Sequence, residues 1–210
     1  MDHRIFAQHL KIPKGIVGIE VAKIMNHINR FMIEFTFDKM NIQNDEKILE
    51  IGFGNGTHIN SIFQKLNNKF RYHGLECSET MFDEALRANE VAIIEKRVDL
   101  KLGYSNDMEY SNDFFDKVCL INTIYFWKTP ETDLKEIYRV LKKNGAVYIA
   151  IRSNETLKKE MFTKYYFKFF EYEELTELLH LVGFLNVEKE HIIEPDKENE
   201  LDILLITAYK

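Results

Sequence analysis

The segment from Lys47 to Gly56, KILEIGFGNG, constrains the chain more than any other stretch. Ile48, Leu49 and Ile51 supply the apolar run of a strand covered on both faces, and Gly52, Gly54 and Gly56 follow at alternate positions. Glycines two apart let a backbone turn sharply and approach a ligand with no Cβ in between. Thr57 to Leu66 then reads as a helix whose first N–H groups point at the same spot. Strand, turn and helix converge on one place, as in a nucleotide cradle.

Spacing supports this reading. A second apolar run, Arg71 to Leu75, ends in Glu76, 20 residues after Gly56, and an acid at a strand's C-terminal end can accept both hydroxyls of a ribose. The pattern therefore predicts adenosine binding. Nicotinamide-dependent oxidoreductases share the glycine loop and the distal acid. Their fingerprint, however, wants glycine or alanine where this chain has Thr57.

With 210 residues, 45% of them apolar, the chain can bury a large core as one domain. A net charge of −6, with cations scattered among carboxylates, argues against attraction to nucleic acid or anionic lipid. Cys77 and Cys119 are too few and too far apart for a disulfide framework or zinc site, and no spacing of His, Cys, Asp and Glu suggests any metal. The N-terminus lacks the apolar core and cleavage signal of a leader, and no stretch has the length of a membrane span. The expectation is a cytoplasmic protein.

Along the chain, Val17, Val21, Ile24, Ile28, Phe31 and Phe35 place one or two helices between Lys14 and Lys39, either a lid over a substrate or a helix packed on a sheet. Ser78 is a predicted N-cap of a helix reaching about Ile94. Val98 to Leu102 and Asp116 to Ile121 are the third and fourth strands. Pro130 opens a helix expected to stop at Asn144-Gly145, with the fifth strand at Ala146 to Ile151. Glu171 to Leu181 is the last long helix. Val187 to Ile193 and Leu201 to Tyr209 are two closing strands joined by a charged turn, Glu194 to Glu200. Alternation of strand and helix predicts a parallel sheet with helices on both faces.

The motifs ILEIGFGNG (48–56), GLECSETM (74–81), LGYSNDMEYSNDFFDKV (102–118), INTIYFW (121–127) and EIYRVLKKNGAVYIAI (136–151) stand in the order of a known family. From about Asn44 onward the chain resembles the class I S-adenosylmethionine-dependent methyltransferases, in their small-molecule, type 11-like branch. The resemblance implies a Rossmann-like three-layer sandwich of α/β class: a seven-stranded, mostly parallel sheet with an antiparallel last strand and helices on both faces. Residues 1–43 would be an N-terminal helical extension forming a lid or cap, and residues 44–210 the methyltransferase domain. The cofactor would be S-adenosyl-L-methionine, the product S-adenosyl-L-homocysteine, with no metal. Glu50, Gly52, Gly54 and Gly56 would contact its methionine part, Glu76 its ribose, Cys77 and Ser105 the adenine, and Asn122 the methionine end near the methyl group. Many relatives carry an acid where this chain has Tyr104, so Asn106 or Asp107 is left to contact the adenine amino group.

Methyl transfer from a sulfonium needs nucleophile, methyl and sulfur held in line and shielded from water; a general base is needed only for a hydroxyl or ammonium acceptor. Tyr125, after the fourth strand, is the candidate catalytic or substrate-contacting residue, although Tyr125, Phe126 and Trp127 also suit a hydrophobic plug. His58 reads as a packing residue. The aromatics between Ser153 and Tyr172 suit either a cap over a planar or cationic acceptor or a connector packed on the sheet. After Asn122 the run is Thr-Ile-Tyr with no proline, unlike enzymes that methylate bases in nucleic acid. A small-molecule acceptor is expected, with no nucleic acid or membrane partner, in a monomer or homodimer. The remaining alternative is a non-catalytic S-adenosylmethionine-binding protein.

Overall fold

A computed structural model describes residues 1–66, 69–195 and 201–210. Seven strands form one sheet: β1 (Lys47–Ile51), β2 (Arg71–Glu76), β3 (Val98–Leu102), β4 (Phe115–Ile121), β5 (Leu141–Ile151), β6 (Asn186–Ile193) and β7 (Asp202–Tyr209). Their order is β3-β2-β1-β4-β5-β7-β6. The pairs among β1 to β5 are parallel, and β7 runs antiparallel to both β5 and β6. The last strand is thus the reversed one, as expected. Five parallel strands place the C-terminal ends of β1, β2 and β4 on one edge, where open α/β sheets bind ligands.

Alternation divides the core into two layers. Leu49, Val118, Leu120, Val147 and Ile149 face one side, where they meet Leu134 and Ile137 of helix α6 (Pro130–Val140) and Leu175 and Leu179 of α8 (Tyr172–Val182). Ile48, Cys119, Ile121, Ala146 and Tyr148 face the other, against Met32, Phe37 and Met40 of α2 (Gly15–Met40) and Ile59 and Ile62 of α3 (Ile59–Leu66). Both faces are apolar because both are covered.

Two predicted boundaries need correction. The helix opened by Ser78 is two helices, α4 (Glu79–Ala88) and α5 (Glu90–Ile94). Asn89 breaks it: the buried side chain donates to the carbonyls of Ala85 at 2.9 Å and Gly56 at 3.0 Å, tying the glycine turn to the helix. Next, α6 ends at Val140 rather than Asn144. Leu141 is fully buried and already pairs with Phe115, while Asn144, at φ 66°, donates its N–H to the carbonyl of Lys210. The Asn-Gly pair makes an irregularity inside β5, where the register with β4 shifts, not a helix cap. The Ser153–Tyr172 region, for which the sequence predicts no element, holds α7 (Asn154–Lys159) and a 3₁₀ turn, Met161–Lys164. Of the predicted turn at 194–200, residues 196–200 lie outside the described residues.

Ahead of the sheet, α1 (His3–Lys11) is capped by Asp2, whose carboxylate accepts the N–H groups of Arg4 and Ile5. The 26 residues of α2 extend for about 39 Å. Asn41, left-handed at φ 46°, ends the helix. Among the described residues no helix is long and apolar enough to cross a membrane.

Candidate cofactor and acceptor site

Glu76 ends β2 and is 6% exposed. One carboxylate oxygen accepts the Gly54 N–H at 3.0 Å and the other the Ser78 N–H at 2.9 Å. The neighbouring Cys77 also donates to this carboxylate, which has about four acceptor positions in all. Burial raises its pKa above the ordinary 4.5, and the backbone donors work against that shift. Beside it, the Cys77 thiol is pushed up to about 12, first by burial and then by the Glu76 charge. It is a neutral thiol at neutral pH.

Two of the three glycines do different work. Gly52, at φ 78°, has no room for a Cβ, which would sit 2.5 Å from Thr123 Oγ1. Gly54, at φ 60°, has nothing within 4 Å of where a Cβ would stand, so it borders open space. The Gly54 N–H beside that space donates to the Glu76 carboxylate.

Glu50 sits elsewhere. It is buried on the α2 side of the sheet, where Oε2 accepts the Tyr72 hydroxyl at 2.7 Å and lies 2.9 Å from His58 Nε2. Burial, then the Glu50 charge, holds the Tyr72 hydroxyl well above its usual range, so Tyr72 is the fixed donor. The Ser105 hydroxyl is also engaged, donating to Asp133 Oδ1 of α6 at 2.5 Å. Tyr104 is 62% exposed. Neither Tyr72 nor Asp133 was legible as a site partner, because each reaches its carboxylate or hydroxyl from a distant segment.

Asn122 closes β4 in the left-handed region, at φ 53°. Its amide donates to Asn29 Oδ1 at 3.2 Å and to Met32 Sδ at 3.3 Å, both on α2, and its Oδ1 accepts the Tyr125 hydroxyl at 3.1 Å. Tyr125 is 2% exposed and takes the Arg152 N–H at 2.5 Å. Burial raises its hydroxyl pKa strongly. Its hydroxyl is committed inside the protein, which suits a strut better than a general base.

The long helix spans both parts. At its start the Gly15 N–H donates to Thr80 Oγ1 at 3.1 Å, and just before it the Pro13 carbonyl accepts the Ser78 hydroxyl at 2.5 Å. Midway, Asn26 donates to Thr57 at 2.9 Å and Asn29 meets Asn122. Its second half buries Met32, Phe37 and Met40 on the sheet. It roofs the ligand edge at one end and packs as core at the other.

The aromatic segment packs and is basic. Phe167 contacts Tyr125 and Phe126, with centroids 5.5 and 4.7 Å apart, and Phe162 meets Phe6 of α1 at 5.1 Å. The ring faces of Tyr166, Phe170 and Tyr172 each carry a lysine of this chain, Lys11, Lys168 and Lys189, at 5.8, 4.7 and 4.4 Å. A lysine of this chain thus already stands over one face of each of these three rings. Among the described residues no group of His, Cys, Asp and Glu could hold a metal.

A Rossmann-like sheet with a glycine turn and a buried acid at the end of the next strand suits a nucleoside-dependent transferase or oxidoreductase, and comparison with known proteins decides between them. The profile described as "Methyltransferase domain" matches residues 49–149. YrhH of Bacillus subtilis (strain 168), whose name gives a methyltransferase and no acceptor, is 33% identical over 67% of this chain and 74% of its own. Among solved structures, a chain of the complex between the Haloferax volcanii Trm112 methyltransferase activator and its methyltransferase superposes with TM-score 0.79 at 17% identity, over 90% of this chain and 92% of that one. Haemonchus contortus phosphoethanolamine N-methyltransferase 2, bound to S-adenosyl-L-methionine, gives 0.63 at 20% identity, over 80% and 49%. The chain belongs to the class I S-adenosylmethionine-dependent methyltransferases. It is an enzyme of that class, which sets the nicotinamide alternative aside.

Proposed function

We propose that this enzyme methylates a small-molecule acceptor in the cleft beneath α2, between the Glu76 wall and the Asn122–Tyr125 wall. The observation that carries the reading is the Glu76 carboxylate, fixed by two backbone N–H groups beside the open space at Gly54. S-adenosylmethionine, when bound, supplies an electrophilic methyl on a positively charged sulfur. The chain's own residues bind, orient and exclude water.

Glu76 takes the ribose hydroxyls, and the turn at Gly52, Gly54 and Gly56 lies along the methionine part. Glu50 acts from behind that turn through His58, in the turn just before α3, rather than by direct contact. Cys77 and the Ser105 backbone flank the adenine. Asn122 lies at the methionine end, and Tyr125 positions it. α1 and α2, within residues 1–43, form the lid. With the Tyr125 hydroxyl committed, an acceptor that arrives deprotonated is favoured, or one whose proton leaves to water. The acidic chain, which carries a net charge of −6, favours a small molecule over nucleic acid, in the cytoplasm, with the protein a monomer or homodimer.

Calorimetric titration tests this. S-adenosylhomocysteine and S-adenosylmethionine are expected to bind saturably and NAD not to bind, with methyl transfer detectable on a panel of small hydroxylated and carboxylated acceptors. Saturable binding of NAD alone would overturn the reading. Tight adenosyl binding with no turnover on any acceptor would mark a binding protein instead.

A further inference from the structure

We propose that the mouth of the cleft binds a small amphipathic organic anion, with Lys11 and Lys14 taking its charged group and Ile12, Val17 and Tyr166 its apolar body. Its role as the acceptor's site rests on the methyl-transfer reading above; its existence rests on the cavity itself.

A concavity of about 700 Å³ lies between α1, the connection to α2 and Tyr166. That is a small-molecule volume. Its described lining holds Lys11, Lys14 and His9 and no carboxylate, in a chain with a net charge of −6. A concave surface of one sign, with apolar walls of low dielectric, focuses its field on whatever enters. Ile16 and Val17, at the rim, are 81% and 43% exposed, so apolar surface stands beside the charge.

Both walls are fastened to the adenosyl and acceptor walls. The Ser78–Pro13 and Thr80–Gly15 hydrogen bonds pin the connection to the start of α4, next to Glu76 and Cys77. The Lys14 N–H donates to His9 Nδ1 at 3.3 Å and fixes the loop on α1. Opposite, Tyr166 holds a left-handed backbone at φ 66°, a conformation that a tyrosine keeps only where its surroundings impose it and that gathers at ligand clamps. Arg4 Nε donates to its hydroxyl at 3.3 Å, and Lys11 lies over its ring. Two residues on, the Lys168 N–H donates to the Tyr125 carbonyl at 2.9 Å, joining this wall to the Asn122 side of the cleft. The ligand's sign follows from these cations. They repel an ammonium and offer a carboxylate or phosphate two donors.

Titrating 2-naphthoate and its neutral counterpart 2-naphthamide into the enzyme saturated with S-adenosylhomocysteine tests the site. Saturable naphthoate binding is expected, at least tenfold tighter than that of naphthamide and at least tenfold weaker in the Lys11→Gln/Lys14→Gln variant. Equal affinity for the two probes, or naphthoate affinity unchanged in the variant, would overturn the proposal. S-adenosylhomocysteine binding by the variant shows that it is folded. If S-adenosylhomocysteine does not bind and naphthoate titrated into the cofactor-free enzyme still binds at least tenfold tighter than naphthamide, the anion site stands and the methyl-transfer role falls. Sedimentation with phosphatidylglycerol vesicles that the double substitution abolishes, with no naphthoate binding, would overturn the proposal in favour of a lipid surface.

Discussion

The two walls of the cleft are built from different materials. On the Glu76 side each contact joins a backbone group to a side chain: Gly54 and Ser78 N–H groups on one carboxylate, the Asn89 amide on the Gly56 carbonyl. On the Asn122 side they run from side chain to side chain: Asn122 meets Asn29 of α2 across 93 residues and takes the Tyr125 hydroxyl, which in turn accepts the Arg152 backbone N–H. A wall held by backbone geometry is formed before ligand arrives, and it suits the invariant part of the reaction, the cofactor. A wall held by side chains on a separate helix can change with few substitutions, and it suits the acceptor, which differs among enzymes of one fold.

The largest effect expected of this contrast is on stability at Gly52. Gly52→Ala puts a Cβ into Thr123 at a positive φ, and strain plus overpacking should cost about 2–4 kcal/mol in denaturant unfolding. Adding Thr123→Ala should recover part of that loss. Gly54→Ala meets no atom, so it should cost only about 1 kcal/mol in stability while sharply weakening S-adenosylhomocysteine. Equal stability losses at the two glycines would erase the distinction between a packed turn and a ligand-facing one.

Next is Glu76→Ala, expected to weaken adenosyl cofactors by about 1.5–3 kcal/mol in calorimetry, through loss of charge-assisted hydrogen bonds. Unchanged affinity in a folded variant would remove the ribose from this wall. Tyr125→Phe should act more gently. Losing the hydroxyl that bridges Asn122 and the Arg152 N–H should cost about 1 kcal/mol in stability, with the S-adenosylhomocysteine affinity changed less than by Glu76→Ala. Complete loss of methyl transfer with stability and cofactor binding intact would instead make Tyr125 a catalytic residue.

Much of the Glu76 wall was legible in the sequence, because its logic is local. Alternate glycines, an apolar run on each side, an N-capping Ser78 and an acid at a strand end all announce themselves within a few residues. The opposite wall was legible only in outline. One or two helices could be read from the period between Lys14 and Lys39; that they are a single 26-residue helix, and which half roofs the cleft and which packs on the sheet, depends on partners at Thr57, Asn122 and the sheet face. Glu50 shows the same limit: its place in the motif implied a ligand contact, while its partners within the chain, Tyr72 and His58, come from the next strand and from the turn before α3. The Asn144-Gly145 pair misled for a related reason, since a good helix terminator lost to the burial of Leu141.

The smallest predicted effects are pH-dependent, and they separate binding from stability. Burial raises the Glu76 pKa, so S-adenosylhomocysteine affinity should begin to fall, on acidification, at a pH above 4.5. Because the folded state takes that proton before the unfolded one, the same titration favours folding as pH drops. His73 has the opposite sign. Its folded pKa is lowered by burial among Tyr110, Phe114 and Phe115, with Asp99 partly compensating, so the unfolded chain binds the proton first. Stability should therefore decline as pH falls below about 6.5, and His73→Leu should flatten that part of a melting-temperature profile. A profile unaltered by His73→Leu would place the titration elsewhere.

A crystal structure of the enzyme with S-adenosylhomocysteine tests the division of labour most directly. The two ribose hydroxyls should lie within hydrogen-bonding distance of the Glu76 carboxylate while its bonds to Gly54 and Ser78 persist, with the sulfur end beneath α2 near Asn122. A nucleoside bound away from Glu76, with that carboxylate still joined only to its partners within the chain, would contradict it.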